Sequence, residues 1–213
     1  MTRIWLIRHG EPVEEARGRC YGTFDFELSP AGREQMAQVA QYLRDEPIAA
    51  VYTSPLSRAR ESAQIIRPHA EVVTDLREID FGELEGLPYD EIAVRYPDVY
   101  RQWMESPTEV QFPKGEAFEE MRERVLRAFD KIRSLPDGRT IAIVSHGGVN
   151  RILLAWALQI PDSCLFRLKQ DYAAINLLAI TDELPVVEMV NVTLPLPISY
   201  WNDYVIDRSE AIT

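Results

Sequence analysis

Two segments of this sequence end a run of apolar residues in a histidine that is followed by glycine. In IWLIRHGEP the run leads into Arg8 and His9, and in RTIAIVSHGG it leads into His146 and Gly147. Glycine lets the backbone turn sharply and approach a ligand, and a helix that follows presents free N–H groups to an anion. A neutral imidazole is a competent nucleophile toward phosphorus, so these residue types indicate phosphate chemistry.

The elements that must position these histidines alternate between strand and helix. Apolar runs of strand length are RIWLIR, AAVYT, AEVVT, RTIAIV, AAINLLAI and PVVEMVNV. Segments with helical spacing lie between several of them, and two helices begin at the Ser-Pro pairs of Ser29 and Ser54, a favourable N-terminal sequence. The alternation predicts an α/β fold, a three-layer α/β/α sandwich with a mostly parallel central sheet.

An irregular segment interrupts this alternation between about residues 75 and 113. It contains glycines, prolines, aromatic residues and short helical pieces, and a long insert of this kind in a compact domain is more often functional than accidental. We expect one domain over residues 1–213, with this irregular helical insert and a mobile tail at 199–213.

Ligands of such sheets bind outside the carboxyl ends of the strands, which places residues 8–10 and 145–148 in one site. Arg58, in the first turns of the helix in TSPLSRAR, is expected to reach the same crevice with a planar fork suited to phosphate oxygens. The arginines would keep His9 neutral and stabilise the transferring phosphoryl group. Glu78 would protonate the departing alkoxide and then deprotonate the attacking water.

Four blocks in this order resemble the histidine phosphatase superfamily, also called the phosphoglycerate-mutase-like family: LIRHGEP, TSPLSRARESA, LREIDFGELEG and IVSHGG. The resemblance implies the phosphoglycerate-mutase-like fold, a phosphohistidine intermediate on His9, and acid-base work by Glu78 on a small phosphomonoester. It implies no metal and no other cofactor. The expected substrate contacts are Arg8, Arg58, His146, Tyr21, Gly22 and Gly147.

Three further segments are similar to the CobC-type branch, the α-ribazole phosphatases: GRCYGTFDFELSPAG, PKGEAFEEMRERV and DYAAINLLAI. This similarity makes α-ribazole 5′-phosphate, an intermediate of cobalamin biosynthesis, a candidate substrate. The mutases carry a longer insert with extra basic residues, whereas this insert has chiefly Arg95, Arg101 and Lys114, which favours hydrolysis. A phosphoglycerate mutase-type phosphotransferase and a non-catalytic phosphate-binding regulatory module are the alternatives.

Several residues near these motifs have a second interpretation. Asp80, Glu83 and Glu85 compete with Glu78 for the role of the acid. Glu15 stands where many family members have asparagine, so its carboxylate either points away or removes a phosphate contact. Four aromatic residues either line a substrate pocket or pack the insert onto the sheet: Tyr21, Phe81, Trp103 and Phe112.

Composition limits the location and the partners of the protein. The chain of 213 residues carries a net charge of -11, which disfavours nucleic acid and requires any phosphate site to be a local island of arginine. Its apolar runs are too short for a secretory signal or a membrane span, and its two cysteines form no disulfide or zinc pattern. We expect a soluble, cytoplasmic protein, and the sequence leaves a homodimer open.

Overall fold

The computed structural model describes residues 1–134, 138–181 and 184–195, and the tail at 199–213 lies outside them. The strands are β1 (Thr2–Arg8), β2 (Ile48–Thr53), β3 (Glu71–Val72), β4 (Thr140–Ser145), β5 (Ile175–Thr181) and β6 (Leu184–Val192). The helices are α1 (Pro30–Tyr42), α2 (Ser57–Ile66), α3 (Tyr89–Arg95), α4 (Pro97–Glu105), α5 (Phe118–Arg133) and α6 (Gly147–Leu158). Among the described helices, none is both long enough and apolar enough to cross a bilayer.

The strands form one sheet in the order β3-β2-β4-β1-β5-β6. The four strands from β3 to β1 are mutually parallel, whereas β5 runs antiparallel between β1 and β6. The prediction of a mostly parallel sheet is therefore confirmed, with an antiparallel part at one edge. Strand β3 is shorter than the predicted AEVVT because the chain turns into a 3-10 helix at Thr74–Leu76.

Helices cover both faces of the sheet, which confirms the three-layer architecture. Side chains of β1 alternate between the faces, so that Ile4 and Leu6 pack in one apolar cluster and Trp5 and Ile7 in the other. The first cluster includes buried residues of α5 and α6, and the second includes buried residues of α1 and α2.

The two Ser-Pro pairs behave differently. Ser29 caps α1 as predicted, because its hydroxyl accepts a hydrogen bond from Gly32 N at 2.9 Å and Pro30 occupies the first helical position. Helix α2 begins at Ser57 with Leu56 as its N-cap, so the prediction that α2 starts at Ser54 is wrong. The Ser54 side chain is instead hydrogen bonded to His146.

The insert folds over the carboxyl ends of the parallel strands. It contains a 3-10 helix at Gly82–Leu84 followed by α3 and α4, and Phe112 near its end is only 1% exposed. Gly82 has a positive φ of 57°, and a Cβ there would lie 2.2 Å from Pro113 O, so this turn requires glycine.

Candidate active site

The two histidines meet at the carboxyl ends of β1 and β4. These strands are parallel neighbours, with Arg8 opposite Ser145, and each histidine is the next residue along its chain. His9 N donates a hydrogen bond to Ser145 O at 2.9 Å. The two imidazole rings lie 5.1 Å apart, and His9 and His146 are 2% and 1% exposed. The structure thus brings the two motifs together as the strand-end rule predicts.

One ring nitrogen of His9 is fixed by its own loop. Its Nδ1 lies 2.8 Å from Gly10 O, and because a carbonyl only accepts, Nδ1 carries the proton and Nε2 carries the lone pair. Burial, followed by the charges of Arg58 and Arg8, lowers the pKa of His9 well below 6.5. His9 is therefore a neutral imidazole with a free nucleophilic nitrogen at neutral pH.

Two arginines flank His9 and are held by backbone carbonyls. Arg8 donates from Nη1 to Gln170 O, and its guanidinium lies 4.2 Å from the ring centre of Tyr172. Arg58 is fully buried and donates to the carbonyls of Gly22 and Phe24 at 2.6 and 3.1 Å. A guanidinium has five N–H donors, and these carbonyls accept from only some of them. Each arginine therefore keeps N–H groups that can bind an anion.

Three buried nitrogen atoms around this site have no hydrogen-bond partner within the described residues. They are Nε of Arg8, Nε of Arg58 and Nδ1 of His146. Buried polar groups are nearly always paired, so an orphaned group requires an explanation. The guanidinium nitrogens can only donate, and an anion with several oxygen atoms would satisfy them.

The second histidine is held by a serine. His146 Nε2 lies 2.7 Å from Ser54 Oγ, and when the hydroxyl donates, the proton of His146 resides on the orphaned Nδ1. Burial, with smaller contributions from Arg58, His9 and Arg8, lowers the pKa of His146 well below 6.5. In this arrangement His146 is a neutral donor toward the same anion.

Glu78 lies on the other side of the pocket, against the start of α6. Its Oε2 accepts from Gly148 N at 3.0 Å, and its Oε1 accepts from Ile79 N at 3.0 Å. Among the described residues it is the one carboxylate that lines the cavity containing His9 and Arg58. An acid at this position can face the oxygen of a leaving group.

The competing carboxylates have other partners. Asp80 accepts from Gly82 N at 2.8 Å, and Glu83 is exposed and paired with Lys114. Glu85 accepts from the backbone of residues 22–24. Glu15 is exposed in the 3-10 helix Glu14–Ala16 and does not line the cavity, so its carboxylate points away from the phosphate pocket.

The predicted glycine contacts occupy supporting positions. Gly22 does not line the cavity; its carbonyl accepts from Arg58 behind the pocket. Gly147 also lies outside the cavity lining, but it opens α6, and a Cβ there would lie 3.5 Å from Arg8 Nε. The first N–H groups of a helix have no intrahelical acceptor, and at the start of α6 the N–H of Gly148 is satisfied by Glu78.

The cavity extends from the histidines over an apolar wall and has a volume of about 310 Å³. Phe81, Trp103 and Phe112 line it and also pack on each other, with ring centroids 4.8 to 5.2 Å apart. Both interpretations of the insert aromatics therefore hold for these three residues. Tyr21 lines the cavity as well, and its ring centre lies 5.1 Å from the guanidinium of Arg58.

The sequence-based prediction does not name every residue of the cavity, and its polar omissions include Tyr172, Arg151 and Arg19. Tyr172 precedes β5, whose first residue pairs with Ile7 at the end of β1. Arg151 follows His146 on α6 and donates from Nε to Leu168 O at 2.8 Å. The signal that could have found Arg151 is its spacing of a little over one helical turn from His146, which keeps it near the same end of the helix.

The described residues contain no cluster of three or more His, Cys, Asp or Glu side chains that is arranged to hold a metal ion. The groups that converge on the site are cationic arginines and imidazole nitrogens. They bind oxygen anions and repel divalent cations. The arrangement suits nucleophilic attack on a phosphoryl group whose oxygens are held by arginine.

Comparisons with known proteins agree with this geometry. The model of the histidine phosphatase superfamily (branch 1) matches residues 4–193. The chain is 35% identical to a bifunctional protein of Mycobacterium tuberculosis over 90% of this chain, but it spans only 54% of that relative's length. It is 34% identical to a metal-independent phosphoserine phosphatase of Arabidopsis thaliana, with 72% of this chain and 67% of the relative covered.

Solved structures give the same result. The crystal structure of an α-ribazole phosphatase from Shigella flexneri superposes with a TM-score of 0.82 at 25% identity, covering 89% of this chain and 96% of that one. The resemblance that the four motifs indicate is therefore confirmed. The matched residues 4–193 include both histidines and most of the described sheet. The chain belongs to the histidine phosphatase superfamily, branch 1.

Proposed function

We propose that this protein is a metal-independent phosphomonoester hydrolase that works through a phosphohistidine on His9. The observation that carries the proposal is the set of three orphaned buried nitrogens around the free Nε2 of His9. They offer fixed donors to phosphoryl oxygens, and such preorganised donors supply most of the catalysis in phosphoryl transfer.

The reaction has two displacement steps at phosphorus. In the first, Nε2 of His9 forms a P–N bond, the ester P–O bond breaks, and Glu78 gives its proton to the departing alkoxide. In the second, Glu78 takes a proton from water, the resulting hydroxide attacks phosphorus, and the P–N bond breaks. Inorganic phosphate leaves and both groups return to their starting states. Arg8, Arg58 and His146 hold the phosphoryl oxygens throughout.

Hydrolysis is favoured over transfer to a second phosphorylated hydroxyl. The basic residues named for the insert segment are exposed and make ion pairs: Arg95 with Glu91, Arg101 with Asp98, and Lys114 with Glu83. Arg77, which also lies in this segment, pairs with Glu116. None of these four residues lines the cavity, so the insert offers no cationic site for a second phosphate. A non-catalytic binding module would have no need for Glu78 beside the pocket.

The aromatic wall supports α-ribazole 5′-phosphate as the substrate. Phe81 and Trp103 line the same cavity as the two histidines, and a flat base can stack on an aromatic ring of this kind. The named activity of the Shigella flexneri neighbour is consistent with this choice.

A second candidate is a phosphomonoester whose leaving group carries a carboxylate, such as phosphoserine. Arg151 is half-buried in the cavity and forms no direct ion pair among the described residues, although the charges of Glu78 and Asp171 act on it, so it can bind an anion other than the phosphoryl group. The relative from Arabidopsis thaliana is named for phosphoserine hydrolysis.

The test is phosphate release in excess chelator from four compounds: α-ribazole 5′-phosphate, O-phosphoserine, 3-phosphoglycerate and p-nitrophenyl phosphate. We expect turnover that His9→Ala abolishes and that the exposed control His69→Ala leaves unchanged. The ratio of kcat/KM between the first two compounds decides between the candidate substrates. Turnover that survives in His9→Ala would refute the nucleophile, and a requirement for a bisphosphate primer would indicate a mutase.

A further inference from the structure

Arg124 of α5 is a buried arginine that the reaction above does not use. Its side chain is 4% exposed, and it does not line the cavity of the active site. A guanidinium has five N–H donors, and the structure gives an acceptor to each of them. The acceptors are both carboxylate oxygens of Glu116 and the backbone carbonyls of Asp75, Arg77 and Glu78.

Three of these acceptors belong to the loop that carries Glu78. Arg124 Nη1 donates to Asp75 O at 2.8 Å and to Arg77 O at 2.7 Å, and Nη2 donates to Glu78 O at 3.1 Å. One planar group therefore fixes three carbonyls within four consecutive residues. Lysine has three donors that diverge from one nitrogen, so it cannot reproduce this pattern.

Glu116 extends the contact to the far side of the same loop. Its carboxylate is 9% exposed, it binds Arg124 through two bonds of 2.6 Å, and it also accepts from Asp80 N at 3.4 Å. It forms a longer ion pair with Arg77 at 3.3 Å. The Arg124–Glu116 pair thus holds the loop both before and after Glu78.

The side chain of Glu78 is held at its other end by α6. Its Oε2 accepts from Gly148 N, while its backbone carbonyl is bound by Arg124. The distance between these two attachments sets the position of the carboxyl group in the cavity. A shift of about 1 Å in a catalytic group can cost about 100-fold in rate, so the anchorage of this loop bears directly on acid catalysis.

Stability alone does not explain the pair. Replacement of a buried ion pair by apolar residues of similar volume is often neutral or stabilising, because the desolvation of two charges is costly. The geometry of the five hydrogen bonds indicates instead that the pair holds the loop that carries Glu78 in position.

We propose that Arg124 is a positioning residue for acid catalysis, which fixes the loop 75–80 so that Glu78 faces the leaving group. This inference rests on the acid role of Glu78 in the proposed function. It predicts that the loss of Arg124 mimics a partial loss of Glu78, and that the effect depends on how much the leaving group needs a proton.

The experiment compares kcat/KM for two substrates, glycerol 2-phosphate and p-nitrophenyl phosphate. The alkoxide of glycerol needs protonation to leave, whereas nitrophenolate leaves readily as an anion. We expect Arg124→Lys to lower kcat/KM by about 30-fold to 100-fold for glycerol 2-phosphate and by less than about 3-fold for p-nitrophenyl phosphate. Glu78→Gln is the reference and should show the same split at larger amplitude.

Arg122→Lys is the matched control. Arg122 lies two residues earlier on the same helix, and it pairs with Glu119 and Asp162 rather than with the acid loop. The control should keep both kcat/KM values. If Arg124→Lys does not fold, Glu116→Gln keeps an oxygen acceptor while it removes the charge, and the same substrate split is expected.

The outcomes separate this inference from the proposed function. An equal loss for both substrates in the folded variants, or no loss, would overturn the role of Arg124 while leaving the phosphatase intact. A Glu78→Gln protein without any leaving-group dependence would refute the acid assignment itself. Loss of turnover in His9→Ala, measured in parallel, tests the hydrolase independently of both.

Discussion

The hydroxyl groups of Tyr21 and Tyr172 lie 2.6 Å apart, and each ring stacks on one of the two phosphate-site arginines. Tyr172 covers the guanidinium of Arg8 and Tyr21 covers that of Arg58. The bond between the tyrosines therefore links two cations that would otherwise repel each other across the pocket. We expect this pair to set the spacing of the arginines before an anion binds.

Removal of this hydroxyl bond should weaken anion binding without loss of the fold. Tyr172→Phe keeps the ring over Arg8 but loses a hydrogen bond with a net contribution of about 0.5–1.5 kcal/mol. We expect the inhibition constant of inorganic phosphate to rise by about 2-fold to 10-fold. Tyr42→Phe is the control, since Tyr42 packs against Trp5 away from the cavity. An unchanged inhibition constant in Tyr172→Phe would show that the bond does not set the spacing of the arginines.

The two active-site histidines should make the protein less stable in mild acid. Their pKa values in the folded protein are lowered well below 6.5, chiefly by burial, so the unfolded state binds more protons once the pH falls below about 6.5. Each histidine then reduces the free energy of unfolding by up to about 1.4 kcal/mol per pH unit.

This effect can be measured by urea unfolding between pH 7.5 and pH 5, values that bracket the ordinary pKa of about 6.5. His9→Asn should make the free energy of unfolding depend less on pH. His69→Asn, at the exposed third histidine, should not have this effect. NMR titration of the three imidazoles gives an independent check. Protonation of His9 near its ordinary pKa would contradict the prediction.

The sequence sufficed to locate the histidines because β1 and β4 are parallel and end at the same edge of the sheet. The same rule did not identify Tyr172, because β5 is antiparallel to β1. At the edge of the sheet where β1 and β4 end, β5 begins, so the residue that lies there precedes the strand. Its place beside the nucleophile is fixed by Ala173 N, which donates to His9 O at 3.0 Å. Strand direction, which the sequence pattern does not reveal, decided which residues were found.

Arg124 and Glu116 could not be identified from the sequence either, but for a different reason. On α5, Arg124 stands among the other charges of EEMRERVLR, and several of these are exposed. Only the contact with the distant loop 75–80 distinguishes it, and such contacts depend on the tertiary fold. Sequence periodicity identifies a buried face, but it does not identify which charge is paired across it.

Ser54 should control which nitrogen of His146 carries the proton. Its hydroxyl hydrogen bonds Nε2 at 2.7 Å, so Ser54→Ala leaves a buried Nε2 without a partner and allows both tautomers. We expect the free energy of unfolding to fall by about 1–3 kcal/mol, the cost of an unsatisfied buried group, and kcat to fall as the productive tautomer loses population. Nitrogen-15 shifts of His146 should change from one tautomer to a mixture.

Ser134→Ala provides the control for this substitution, because Ser134 is exposed at the end of α5 and its hydroxyl donates to Lys131 O, away from the cavity. Neither its activity nor its histidine spectra should differ from the unmodified protein. If the Ser54→Ala protein keeps a single tautomer of His146, another group sets the protonation state and the role assigned to Ser54 is wrong.

Glu85 should support Arg58 indirectly, although it does not line the cavity. Its carboxylate accepts from the backbone N–H groups of Gly22, Thr23 and Phe24 at 2.8 to 3.0 Å. Arg58 donates to the carbonyls of Gly22 and Phe24, so one short loop connects the two charged residues.

Glu85→Gln removes the charge and half of the acceptor capacity at this loop. We expect the free energy of unfolding in urea to fall by about 1.5–3 kcal/mol, the range for hydrogen bonds to a charged group, and the inhibition constant of phosphate to rise as Arg58 loses its support. Glu83→Gln is the matched control, because Glu83 lies in the 3-10 helix Gly82–Leu84, of which Glu85 is the C-cap. The exposed ion pair of Glu83 with Lys114 should contribute little to the free energy of unfolding, because solvent screens the two charges. Equal losses in the two variants would mean that Glu85 is an ordinary surface carboxylate.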